Sequence, residues 1–154
     1  MEVGHKEDKA VQRLNSKVKK AFGMQLGASH TEFIRCKEDG KFYFLETASR
    51  VGGAHIAELV EAASGVNLWE EWAKVEAADV LGKTYKLPRL KSRYSGIVVS
   101  MINQPDAHYE HFTDKEIFWT LNKNHHMGLI VQSTKQEKVR ALLDDYAMRI
   151  GQLK

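Results

Sequence analysis

Hydrophobic and polar positions divide this chain into segments of different period. Over residues 7–22, Ala10, Val11, Leu14, Val18, Ala21 and Phe22 recur at three- and four-residue steps among Lys and Arg. That spacing predicts an amphipathic helix ended by Gly23. Residues 28–36 (ASHTEFIRC) switch to alternation and predict a strand. Asp39-Gly40 supplies the positive φ of a hairpin turn, and the aromatic run 41–47 (KFYFLET) predicts the returning strand. A loop at 49–53 leads to a helix over 54–64 that Gly65 closes. Asn67 then caps a second helix over 67–81, ended by Gly82. Residues 83–93 are a polar, basic connector with Pro88. Beyond it the pattern predicts strands at 95–103 and 126–133 and a helix at 135–151, with 107–123 ambiguous between short strands and a turn of helix. The expected class is α+β, with one domain over residues 1–82, the connector 83–93 and a small α+β appendage over 94–154.

Composition narrows the class of protein. The 154 residues are 43% hydrophobic and 28% charged, as in ordinary globular proteins. No apolar run reaches the roughly 18–20 residues that span a bilayer, and the N-terminus has no apolar signal core. Twenty-three basic against 20 acidic residues leave +3, without a dense basic tract, so nucleic acid and membrane are not expected partners. Cys36 stands alone, which excludes an intrachain disulfide. The expectation is a cytoplasmic protein.

The chemistry concentrates between Gly27 and Glu61. The hairpin places Glu32 on its first strand and Glu46 near the end of its second. Carboxylates facing each other across antiparallel strands suit Mg²⁺, a hard cation that shares its shell between one or two carboxylates, waters and substrate phosphates. Arg50, four residues beyond Glu46, offers bidentate hydrogen bonds to a phosphoryl group. The alternative is that all three are solvated surface residues. Gly52 and Gly53 allow close backbone approach at a helix start, where a substrate carboxylate or phosphate is attracted. His55 is placed to contact substrate or to bond at the helix start. His30 shares a strand face with Glu32. His108 and His111, with His125 and His126, are a weak metal candidate, and Trp69 and Trp72 read as core.

The run G-A-S-H-T-E-F, a hairpin, F-Y-F-L-E-T-A-S-R, then V-G-G-A-H-I-A-E-L-V-E-A-A-S-G-V-N-L-W resembles the C-terminal half of an ATP-grasp domain. The biotin carboxylases, carbamoyl-phosphate synthases and smaller carboxylate–amine ligases share it over about residues 10–80. The resemblance implies ATP and Mg²⁺ as cofactors, with Glu32 and Glu46 holding the metal. It implies Arg50 as the residue that steadies the transferring phosphoryl group or an acyl phosphate. The substrate would be a small carboxylate, to be joined to an amine or thiol. Where the family has Asn two residues after the second Glu, this chain has Ala48, which weakens a metal site. The family's phosphate-binding Lys and mobile glycine-rich loop have no counterpart here; Lys74 and Lys83 lack that context. The expectation is therefore a fragment of a ligase, not catalytic alone, that forms a homo-oligomer or associates with the missing half. A non-catalytic interaction or regulatory module derived from such an enzyme is the alternative.

Overall fold

The computed structural model describes residues 5–153. Its elements, in chain order, are α1 (Lys6–Ala21), β1 (His30–Arg35), β2 (Phe42–Ala48), α2 (Ile56–Ser64), α3 (Leu68–Val80), β3 (Tyr94–Met101), β4 (Ile117–Thr120), β5 (His126–Ser133) and α4 (Gln136–Gly151). The ambiguous stretch 107–123 resolves into irregular backbone and the short strand β4. The chain divides into two compact units, one of Met1–Gly52 with Trp69–Lys86, the other of Gly53–Leu68 with Leu87–Lys154.

In the first unit α1 packs on an antiparallel hairpin, β1–β2. Asp39 shapes the turn: its carboxylate accepts the Lys41 amide (2.9 Å) and the Tyr43 hydroxyl (2.7 Å), and Gly40 takes φ +68°. Those bonds, the Lys41 amide foremost, hold the Asp39 carboxyl below the usual range. The same unit carries α3. There the buried Glu71 accepts Lys74 Nζ (2.8 Å) and the Tyr85 hydroxyl (2.5 Å), so a carboxylate at a buried position is fully partnered. Both bonds lower its pKa. Val51 is the buried hydrophobic residue of this unit among those described. Trp69, expected in the core, is 55% exposed. Trp72 is half-buried and donates to Glu76 (2.8 Å).

The second unit is built around a three-stranded antiparallel sheet in the order β3-β5-β4. α2 and α4 both pack on β3 and β5. Ser95 Oγ donates to the Leu59 carbonyl of α2 (2.9 Å), whereas a Cβ added at its neighbour Gly96 would meet Val139 and Leu143 of α4. Successive strand residues point to opposite faces, so the two helices cover opposite sides of the sheet. This explains why Met127–Val131 reads as a continuous buried run: a central strand covered on both faces has no solvent side. Met127, Leu129 and Val131 join Ile102, Val139, Leu142, Tyr146 and Ile150 in one core. Within it the Tyr146 hydroxyl donates to Asp114 (2.6 Å), and burial, reinforced by that bond, pushes its pKa up.

Candidate functional site

The hairpin register puts Glu32 directly opposite Glu46, with His30 opposite Ala48. Between Glu32 and Phe33 the register shifts: β1 advances one residue while β2 advances from Glu46 to Phe44. Leu45 is therefore the extra residue of a β-bulge, which reverses the inside–outside alternation of β2. Its consequence is local and specific. Without the bulge, Phe44 would share a face with Glu46. With it, Phe42 and Phe44 turn toward the same face as Phe33 and Arg35, while His30, Glu32, Ile34, Tyr43, Glu46 and Ala48 share the other.

Contacts confirm the sidedness. On the aromatic face Arg35 pairs with Glu7 of α1 (2.6 Å), and Phe44 meets Phe22 at the end of α1 with ring centroids 6.1 Å apart. Thr31 and Thr47 join their hydroxyls across the strands (2.8 Å). On the carboxylate face, His30 Nε2 lies 3.0 Å from Glu32 Oε1. A carboxylate only accepts, so the imidazole is the donor and Nε2 carries the proton. Glu32 is 45% exposed, which leaves its second oxygen open to a ligand.

Arg50 lies two residues past β2 in the same unit, exposed, with Nη1 donating to the Val51 carbonyl (3.0 Å). Among the described residues its other guanidinium nitrogens make no hydrogen bond. Gly52, also in this unit, is buried. Gly53 and His55 belong to the second unit. There the helix begins at Ile56, two residues later than its pattern predicts, because Ala54 (φ 51°) and His55 (φ 64°) are left-handed. Left-handed backbone at a non-glycine residue costs on the order of 1–3 kcal/mol and collects at functional loops. The His55 ring rests on Trp119 of β4 (centroids 4.5 Å apart), and its Nδ1 is 3.8 Å from Glu58. The Trp119 contact was invisible in the sequence, since 64 residues of chain separate the partners.

Among the described residues no group of three or more His, Cys, Asp and Glu side chains is arranged to hold a metal ion. The His108, His111, His125 and His126 candidate is thereby set aside. His126 instead bonds the Asn124 carbonyl through Nδ1 (2.8 Å), and His108 lies 3.5 Å from Glu110. A facing carboxylate pair is a different kind of donor set. It fits Mg²⁺ where phosphates and waters complete the shell, and it does not make an all-protein cage.

No protein-family profile matches the chain, and no curated protein matches it by sequence. Solved structures do. The chain is similar to an L-amino acid ligase from Bacillus licheniformis (TM-score 0.67, 15% identity, covering 94% of this chain and 40% of that one). It is also similar to a phosphoribosylglycinamide synthetase from Anaerococcus prevotii (TM-score 0.58, 18% identity, covering 92% and 41%). The chain thus spans about two fifths of the length of these ATP-grasp enzymes. Its fold is α+β and ATP-grasp-like, with antiparallel sheets packed by helices.

Proposed function

We propose that this chain is the metal- and phosphate-handling part of an ATP-dependent carboxylate–amine (or –thiol) ligase. The observation that carries the reading is the direct opposition of Glu32 and Glu46 on one hairpin face, with Arg50 just beyond. In this reading the two carboxylates hold the Mg²⁺ that neutralises the ATP phosphates. His30 holds Glu32 in its orientation through the 3.0 Å bond, as residues behind a metal ligand commonly do. Arg50 donates to the phosphoryl oxygens as charge builds on them. The substrate carboxylate attacks the γ-phosphorus, releasing ADP; an amine or thiol then displaces phosphate from the acyl phosphate. Gly52, Gly53 and His55 contribute to binding the carboxylate substrate.

In this reading turnover needs further groups that cradle the triphosphate from the other side. The domain division expected from the sequence, 1–82 and 94–154 about a connector, and a cytoplasmic location belong to the same proposal. Association with a complementary half or a second copy is supported by Phe22, Leu26, Ile34, Phe44 and Leu45, all exposed in the first unit.

Ala48 favours a second reading, a non-catalytic module of the same descent, because a methyl group cannot ligate metal. Calorimetry with Mg·ATP separates the two. The ligase reading expects saturable, Mg²⁺-dependent binding that Glu32→Gln or Glu46→Gln weakens about tenfold or more, the loss of one charged ligand contact. Metal-independent binding, or none, supports the module.

A further inference from the structure

The hairpin has two faces of opposite character, and the one that bears no carboxylate pair holds a cavity of its own. It lies between α1 and the ends of β1 and β2, with a volume of about 550 Å³, inside the roughly 300–1,000 Å³ range of small-molecule sites. Ala10, Leu14 and Phe42 give it an apolar floor. Lys6, Arg13, Arg35 and Lys41 ring that floor, against Glu7 as the acid among its lining residues, and Lys41 Nζ stands 3.5 Å from the Asp39 carboxylate beside it. Glu7 is itself committed to Arg35 at 2.6 Å, and the Arg35 guanidinium is further fixed by the Gly40 carbonyl (3.3 Å) and stands 6.0 Å from the centre of the Phe42 ring. The Arg13 Nε is bonded to the Lys9 carbonyl (3.1 Å), which leaves its terminal nitrogens for a ligand.

An apolar floor under a cationic rim selects for one kind of molecule. A neutral hydrocarbon would leave the positive field uncompensated, and a bare anion would leave the floor wet. We propose that this cavity binds a small organic anion with an apolar body, its carboxylate head at Arg13 and Lys41 and its body on Leu14 and Phe42. The Leu45 bulge separates this face from the carboxylates, because across it Glu46 faces opposite to Phe42 and Phe44. The site is distinct from the proposed metal site and does not depend on the ligase reading.

The test is an amide-resolved NMR titration of the full chain with three probes: octanoate, octan-1-ol and inorganic phosphate. Octanoate is expected to shift the Ala10, Leu14 and Phe42 signals saturably, at a concentration at least tenfold below either of the others. The double variant Arg13→Glu with Lys41→Glu should raise the octanoate half-saturation at least tenfold with amide dispersion intact. Arg13→Gln should do so more modestly, which keeps the test usable if the double variant is poorly folded. Octan-1-ol binding as well as octanoate would reduce the cavity to apolar surface, and phosphate binding as well would reduce it to a bare anion patch. Either result overturns the proposal, as does octanoate binding that all variants leave unchanged. A glutamate-rich peptide that displaces octanoate at lower concentration would also overturn it, by assigning the cavity to a polypeptide.

Discussion

The two units of this chain use their hydrophobic residues in opposite ways. The unit containing α2, β3–β5 and α4 buries Met127, Leu129, Ile130 and Val131 completely and seals one sheet between two helices. The unit containing α1, the hairpin and α3 buries Val51 and leaves Phe22, Ile34, Leu45 and Leu81 more than half exposed. A two-stranded sheet is marginal by itself in water, and here much of the order comes from polar contacts: Asp39 at the turn, Thr31 with Thr47, Glu71 with Lys74 and Tyr85. The lesson is a division of labour. The second unit has the packing of a self-sufficient core. The first carries the facing carboxylates Glu32 and Glu46, with Arg50 just beyond, on a scaffold that leaves several large apolar side chains exposed.

Mutations at buried and exposed aliphatic positions should separate the two units most widely. Leu129→Ala is expected to cost about 2–5 kcal/mol, because the surrounding side chains cannot close the cavity. Ile34→Ala should change stability by about 0.5 kcal/mol or less. Urea unfolding checks both; an equal loss at the two positions would dissolve the contrast. Next in size is Gly96→Ala. Its new methyl would press on Val139 and Leu143 and should cost about 1–3 kcal/mol by the same assay.

The pH dependence belongs to particular groups in each unit, since Glu110 of the second is lowered as well and Tyr43 and Tyr85 of the first are raised. Asp39 and Glu71 have lowered pKa values, by the Lys41 amide and by Lys74 respectively. Their contribution is present above the ordinary carboxyl range and is lost as pH falls through their folded values. Amide protection around the Asp39 turn and Glu71 is therefore expected to weaken under acid. Tyr146, raised chiefly by burial, stays protonated in the folded state after the unfolded chain would have lost its proton. Its contribution is intact below about pH 10 and is lost as pH rises beyond. Hydrogen exchange across the pH range should show acid weakening around Asp39 and Glu71 and alkaline weakening around Tyr146, and Tyr146→Phe should blunt the latter. The smallest expected effect is in the first unit, where Ala48→Asn should strengthen Mg²⁺ binding severalfold by restoring an oxygen ligand; unchanged affinity would show that Ala48 is no defect.

Regular elements were legible because period and punctuation agreed. The helix of residues 7–22, the hairpin about Asp39-Gly40 and the terminal helix appear within a residue or two of their expected ends. The hairpin itself was legible from its turn, but the register of that turn alone would set Glu32 against Leu45; the bulge at Leu45 is what brings Glu46 opposite Glu32. What escaped were departures from regularity. A bulge adds one residue without any special residue type, so Leu45 gave no sign that it would turn Phe44 over. Left-handed Ala54 and His55 delayed α2, where the pattern suggested that the adjoining glycines would carry the unusual backbone. Trp69 and Trp72 had helical core spacing, but Trp69 is 55% exposed, its ring 6.1 Å from that of Trp72. His30's bond to Glu32 needed the face assignment that alternation gave, plus side-chain geometry that it did not.

In the proposed reading, Glu32 and Glu46 act together on a metal-bound nucleotide. That reading is tested most directly by titrating Mg·ATP into the full chain by calorimetry, alongside Glu32→Gln, Glu46→Gln and the double variant. Binding is expected to disappear without Mg²⁺, and the double variant to lose less than the sum of the two single losses, since both carboxylates would serve one ion. Nucleotide binding that persists without Mg²⁺, or that none of the three variants changes, would contradict it.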